Sequence, residues 1–290
     1  MKTHYRYGKA VFLLLRCNLS LAIAFSGLAG FVLCAHSFRI ASIFSFIGVF
    51  LLSGAASALN QYQERHWDGL MNRTSARPLP LKRIRTRQAL VIALIAVVAG
   101  ASILFFGCTL MSALLGVLNL VLYNAIYTPL KRKSRYAVFI GAVTGAIPPM
   151  IGWAAAGGTL SNPFILAVAL FMYIWQIPHF LLLQLRFGKE YAAAGFPLFL
   201  VTTDEKRARS VFFIWLAGTS VCTLLFPFFR IISGTATTAV LLFLNAVVIS
   251  IFYKNLFLKK EPLNFDSAFR SIYLYQIGIF VILMGNLYAM

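Results

Sequence analysis

The sequence predicts an all-α integral membrane protein with nine transmembrane helices, and three features of the chain require it. Of its 290 residues, 60% are hydrophobic and only 11% charged, a balance foreign to ordinary soluble domains. Nine runs reach the roughly 20 apolar residues that a spanning helix needs. When successive loops are assigned to alternate sides, 24 of the 26 Lys and Arg fall on one side.

The runs cover roughly 10–35, 40–62, 88–107, 110–128, 137–157, 163–184, 210–232, 236–257 and 268–289. Backbone polar groups in lipid must pair internally, so uninterrupted runs of this length read as helices. The first follows Lys2, Arg6 and Lys9. It is too long for a signal peptide and carries no convincing small-residue cleavage site, so it reads as a retained first helix. In the fifth run, Pro148 and Pro149 predict a kink, and Gly141, Gly145 and Gly152 predict close helix packing. Cys17, Cys34, Cys108 and Cys222 lie in apolar runs without a Cys-x-x-Cys pair and read as small buried hydrophobes. The whole of 1–290 reads as one polytopic domain.

Of the net charge of +19, all but the two charges of Arg39 and Arg230 falls on one side of these helices, which argues against nucleic acid and for topology. The basic loops follow the second, fourth, sixth and eighth runs, and only Arg39 and Arg230 fall on the other side. The N-terminus is then cytoplasmic and the C-terminus external. All seven acids, Glu64, Asp68, Glu190, Asp204, Glu205, Glu261 and Asp266, sit on the cytoplasmic side. Attraction to anionic lipid explains basic loops, but not these acids.

The stretch "NQYQERHWDGLMNRTSARP" holds the densest chemistry. Asn60, Glu64 and Asp68 are four apart, and at about 100° per residue they share one helix face. Three oxygen-bearing side chains there suit a hard cation such as Mg²⁺, which takes one or two carboxylates and leaves positions for phosphate oxygens. Arg73 and Arg77 follow, also four apart, and the planar guanidinium suits phosphate. The set reads as a magnesium–diphosphate site; taken alone, it equally fits a solvated helix end with local ion pairs. "RFGKEYAAAGFP" adds Glu190, an opposing loop acid for a second metal. "YTPLKRKSRY" puts Tyr127, Lys131 and Arg132 at a helix exit, where a basic loop serves topology or phosphate equally well. His179, one residue after Pro178, is an ionisable group inside an apolar run; it suits a functional contact or a backbone group freed by the proline.

These stretches carry a resemblance over nearly the whole chain to the intramembrane prenyltransferases of the UbiA superfamily. "NQYQERHWDGLMNRTSARPLP" is similar to that family's first acidic motif and its Met-x-Arg-Thr-x-x-Arg-Pro-Leu continuation. "YTPLKRKSRYAVFIGAVTGAIPPMIGWAAAGG" and "YIWQIPHFLLLQLRFGKEYAAAGFP" resemble the later family segments, the latter with its second acidic motif. The Arg-Thr-x-x-Arg-Pro and Trp-x-x-Pro-His-Phe elements resemble the haem O synthase branch rather than quinone-forming relatives. Glu64 and Glu190 replace the usual Asp, His66 stands where Asp is frequent, and Ile177 replaces a Pro.

The resemblance implies a UbiA-type bundle with cytoplasmic catalytic loops in a bacterial inner membrane. It implies transfer of a farnesyl group from farnesyl diphosphate to a vinyl group of haem b. It assigns Mg²⁺ to Asn60, Glu64, Asp68 and Glu190, and the leaving diphosphate to Arg73, Arg77, Tyr127 and Lys131. It places His179 and Trp175 against the haem, and makes membrane lipid and haem A synthase expected partners. Other acceptors, such as a quinone precursor, keep the same fold. A transporter would show internal repeats, broken helices and mid-membrane ionisable groups, whereas these acids cluster at cytoplasmic helix ends; a non-catalytic scaffold would not need the acid and arginine spacing.

Overall fold

The computed structural model describes residues 2–200, 205–258 and 263–287. The described residues are helical with no strand, and nine helices are long and apolar enough to cross a membrane. Asp204, Lys259, Lys260 and Glu261, assigned above to the cytoplasmic side, lie outside the described residues, as does the C-terminal Met290.

The elements are α1 (Lys2–Leu14), α2 (Cys17–Ala35), α3 (Ile40–Asp68), α4 (Asn72–Ser75), α5 (Thr86–Gly107) and α6 (Leu110–Val121). A π-helical turn (Leu122–Tyr127), α7 (Thr128–Leu130), α8 (Ala137–Ala155) and α9 (Pro163–Ala193) follow. The chain continues through α10 (Glu205–Thr223), α11 (Leu225–Phe228), α12 (Thr235–Tyr253), a second π turn (Lys254–Leu258) and α13 (Phe265–Leu287). Two compact units form: Met1–Leu160 with Lys189–Pro197, and Ser161–Gly188 with Leu198–Met290.

In the first unit α2, α3, α5, α6 and α8 pack around Val49, Leu52, Leu104, Ile147 and Ile151. Side-chain size, rather than polarity, separates inside from outside. On α5, Ala89, Ala93, Ala96 and Leu104 are buried while Leu94, Ile95 and Val98 are exposed. That is the pattern for helices whose outer faces meet hydrocarbon and whose backbones must approach closely. The closest approach is between α2 and α8. A Cβ on Gly152 would stand 1.7 Å from the carbonyl oxygen of Gly27, and one on Gly30 would stand 2.0 Å from that of Pro149. Gly152 thus serves the predicted close packing, against the unpredicted Gly27, and Gly30 makes a second unpredicted approach, to Pro149.

The second unit contains the first part of α9 and α10 to α13. Phe171 meets Phe226 and Tyr275 edge-on at ring separations of 6.1 and 6.2 Å. A chain of buried polar contacts links α13, α12 and α10. The Tyr275 hydroxyl donates to Asn245 at 2.7 Å, and the Asn245 amide donates to Thr223 at 2.9 Å.

Several expected boundaries move. The first predicted run divides: α1 ends at Leu14, and Arg16 adopts a left-handed conformation (φ 45°) before α2 begins. A charged side chain inside an apolar run gives the helix a reason to break there. The carbonyls released are satisfied by Gln61 of α3, whose amide donates to Leu14 at 2.7 Å and Leu13 at 3.2 Å. The second and sixth runs are longer than expected, so His66 and Glu190 lie on helices rather than in loops. Of the four cysteines, all free, only Cys222 is buried; the other three are half-buried, so the expectation of buried hydrophobes holds for one.

Candidate active site

The site is built at the C-terminal end of α3. Asn60, Glu64 and Asp68 are 3%, 4% and 0% exposed, which is unusual for carboxylates unless each has a partner. The extension of α3 to Asp68 places all three on one buried helical face.

Each member has its own partner. Arg77 Nη1 lies 2.8 Å from Oδ1 and 2.7 Å from Oδ2 of Asp68. Lys131 Nζ lies 2.9 Å from both Glu64 oxygens, but only Oε2 receives it in hydrogen-bonding geometry. Oε1 is buried without a directed donor. Asn60 donates to Thr128 Oγ1 at 3.1 Å. Asp68 is also within electrostatic reach of Glu64 and Lys131. Burial alone would push the Lys131 ammonium down, but Glu64 and the surrounding phenols lift it above its usual value.

The loop after α3 folds back through α4. Thr74 Oγ1 donates to the Asp68 carbonyl at 2.9 Å and turns Arg77 toward the Asp68 side chain. Glu190, near the end of α9, accepts from the Arg73 backbone N–H at 3.1 Å. The Arg73 guanidinium donates to the Tyr191 hydroxyl at 2.6 Å and lies over its ring. Met71, Ala194 and Phe196 pack with Trp67 and Tyr191 beneath this junction. Apolar contact therefore brings the second acidic segment to the first.

The π turn places the remaining members. Pro129 has no N–H and its ring would collide with the carbonyl four residues back, so a widened turn before it relieves the helix. Thr128 Oγ1 donates to the Tyr123 carbonyl at 2.9 Å. Asn124 donates to the Ala56 carbonyl at 3.0 Å, and Gln63 donates to the Asn124 carbonyl at 3.0 Å, tying the turn to α3. Tyr127 then stands beside Lys131, whose Nζ is 5.3 Å from the ring centre.

The structure thus brings Asn60, Glu64, Asp68, Arg73, Arg77, Tyr127, Lys131 and Glu190 into one connected network. It adds Arg16, which the charge pattern had assigned to topology. Arg16, Arg73 and Arg77 line a cavity of about 390 Å³ with Gln61 and Thr74. Burial and the two neighbouring guanidinium groups lower the Arg16 pKa, while Tyr123 and Tyr191 oppose that effect. The signal available in the sequence was an arginine interrupting an apolar run. Three arginines thus border one cavity.

Among the described residues no three His, Cys, Asp or Glu side chains form a ready metal cluster; Glu64 and Asp68 are each turned toward a cation, and Glu190 toward the Arg73 backbone N–H. The donor chemistry nonetheless suits Mg²⁺: the candidate ligands offer oxygen atoms, Asn60, Glu64 and Asp68 are buried, and Glu64 Oε1 has spare accepting capacity. His66 is exposed on α3, away from the buried acids.

Trp175 and His179 belong to the second unit. Trp175 is 4% exposed and donates to the Ile272 carbonyl at 3.2 Å. The His179 ring stacks on it at 5.6 Å and 12°. Trp153, also buried, donates to the Thr159 carbonyl at 3.0 Å, a packing contact.

The UbiA prenyltransferase family model matches residues 20–274. The chain belongs to the UbiA prenyltransferase family. Protoheme IX farnesyltransferase of Nitratidesulfovibrio vulgaris (strain DP4) is 34% identical to this UbiA-family chain over 77% of its length and 78% of the relative's. That of Geobacter sulfurreducens is 37% identical over 76% and 81%. Its fold is that of solved UbiA relatives. The structure of a digeranylgeranylglyceryl phosphate synthase superposes with a TM-score of 0.73 over all of both chains at 15% identity. A UbiA homologue from Archaeoglobus fulgidus bound to GPP and Mg²⁺ superposes with a TM-score of 0.66 at 14% identity, covering 97% of this chain and 98% of that one.

Proposed function

We propose that this chain transfers the farnesyl group of farnesyl diphosphate to a vinyl group of haem b, giving haem O. The observation that carries the chemistry is the buried Asn60, Glu64 and Asp68 face meeting Lys131 and Arg77, with Glu190 held at Arg73. The acceptor is supported by the protoheme IX farnesyltransferase relatives. The family match crosses both compact units, which supports treating 1–290 as one catalytic domain.

Asn60, Glu64, Asp68 and Glu190 would hold Mg²⁺, which when bound neutralises the diphosphate and makes it a better leaving group. Arg73, Arg77 and Lys131 donate hydrogen bonds to the oxygens on which charge grows, and Tyr127 offers its hydroxyl beside Lys131. The allylic C–O bond breaks and its electron pair leaves with the diphosphate. The vinyl π electrons then form the new C–C bond. Water captures the cation left on the former vinyl group and loses a proton, leaving a hydroxyethylfarnesyl substituent. Trp175 and His179 contact the haem.

The protein is a multi-pass membrane protein. We place it in the bacterial cytoplasmic membrane with its N-terminus inside and its C-terminus outside, on the charge asymmetry. Membrane lipid surrounds it, and haem A synthase is the partner proposed to receive its product.

Incubation of purified protein with Mg²⁺, farnesyl diphosphate and haem b, followed by mass analysis of the haem, tests this directly. A farnesylated and hydrated haem, lost in Asp68→Ala, is expected. Prenylation of another acceptor with haem b left unchanged would overturn it.

A further inference from the structure

We infer that the groove between α9 and α13 recognises the carboxylate edge of the porphyrin acceptor, with Arg186 and Arg270 as its cationic rim. The inference rests on haem b being the acceptor and names the groups that would select it.

The groove has a volume of about 400 Å³; Leu183, Phe187, Phe269 and Tyr273 form its walls, and Arg186, Arg270 and the carboxylate of Asp266 line it too. Its aromatic wall continues beyond the groove itself. Tyr273 and Phe269 lie 5.5 and 5.8 Å from the His179 ring, which stacks on Trp175. Trp175, His179 and Arg186 are four and seven residues apart, so they share one face of α9. Seven residues of helix rise about 10 Å, comparable to the reach from a porphyrin's centre to its carboxylate edge. One end of the strip thus carries an imidazole between aromatic rings, and the other carries cations.

The two arginines are differently engaged. Arg186 donates to Asp266 Oδ1 at 2.6 Å and lies over the Phe187 ring at 5.0 Å. This fixes its guanidinium while leaving other N–H groups of its five available. The Asp266 side chain is 73% exposed, so water screens its charge. Arg270 is exposed and makes no hydrogen bond or ion pair among the described residues. The rim therefore keeps one formal positive charge after Asp266 is counted.

A flat apolar plate with two carboxylates on one edge matches this arrangement. Farnesyl diphosphate also joins an apolar part to an anionic end, but its chain is not a flat plate and its diphosphate is assigned to the Asn60, Glu64 and Asp68 face. An anionic phospholipid has both an apolar and an acidic part, but it gives no use to a stacked imidazole.

The test is an absorbance titration of the protein in nanodiscs of zwitterionic lipid. The probes are haem b, iron-free protoporphyrin IX and the dimethyl ester of each. Wild type is expected to bind each free acid about tenfold more tightly than its ester, the scale of a charge-assisted contact. Arg270→Gln and Arg186→Gln should each reduce that preference while leaving ester binding unchanged, and Arg270→Lys should retain part of it. Because Arg270 is exposed, its variants are expected to fold. An unchanged acid preference in both Gln variants would overturn the rim assignment while leaving haem O synthesis standing. In a parallel preparation whose nanodiscs also carry phosphatidylglycerol, loss of co-purifying phosphatidylglycerol in Arg270→Gln, with the porphyrin acid preference intact, would give the rim to lipid headgroups instead. A wild type that binds no porphyrin and makes no farnesylated haem would remove the acceptor itself.

Discussion

A single nitrogen of Arg77, Nη1, lies between both oxygens of Asp68, at 2.8 and 2.7 Å. The two partners are buried unequally: the Asp68 side chain is 1% exposed and that of Arg77 16%. Truncating Arg77 strands a carboxylate with almost no water, whereas neutralising Asp68 leaves a guanidinium that reaches solvent. Arg77→Ala is therefore expected to lower stability by about 3–5 kcal/mol, and Asp68→Asn by much less. Thermal melts in detergent read the difference. Equal losses would show that burial does not govern the pair. Both variants should lose farnesyl transfer by about 10²-fold or more.

The Lys131–Glu64 pair gives a pH signature. Its Lys pKa is raised in the folded protein, chiefly by Glu64 against the opposing effect of burial. A raised lysine contributes stability fully below its unfolded pKa, about 10.4, and loses that contribution as pH climbs through the higher folded value. The melting difference between wild type and Glu64→Gln should stay flat from about pH 7 to 9 and shrink above the unfolded lysine value. A difference that grows in alkali would contradict the sign.

Gly152 separates packing from chemistry. Its Cβ would meet the backbone carbonyl of Gly27, an atom that cannot swing away. Gly152→Ala should cost about 1–3 kcal/mol or more through overpacking. Yield and melting temperature should fall, while the metal dependence of surviving protein stays as in wild type.

Pro129 is expected to act on geometry. Pro129→Ala restores the missing N–H and removes the reason for the π turn before it. Tyr127 and Lys131 would then rotate relative to Glu64. Kcat should fall about tenfold, for one misplaced charge-stabilising group, with the melting temperature unchanged or raised. Unchanged kcat would mean the π turn does not position these residues.

The spans were legible because the bilayer imposes a length and an apolar composition on each helix. The i, i+4, i+8 spacing of Asn60, Glu64 and Asp68 fixed a common face wherever α3 ran. The break at Arg16 was not legible, because the carbonyls it frees are satisfied by Gln61, 45 or more residues away in the chain. Local hydropathy carries no record of such a partner.

By itself the sequence determined the membrane-spanning helices and the set of oxygen and guanidinium groups that could serve a diphosphate. Tertiary structure alone decided which cation meets which acid: Lys131 with Glu64, Arg77 with Asp68, and the Arg73 backbone with Glu190. It also decided that Arg16 joins Arg73 and Arg77 at one cavity. Membership of a helix face follows from a local period of about 3.6 residues. Pairing across 67 or 117 residues follows from side-chain packing and from the need to neutralise charge once water is excluded, and neither is written in any short stretch of the chain.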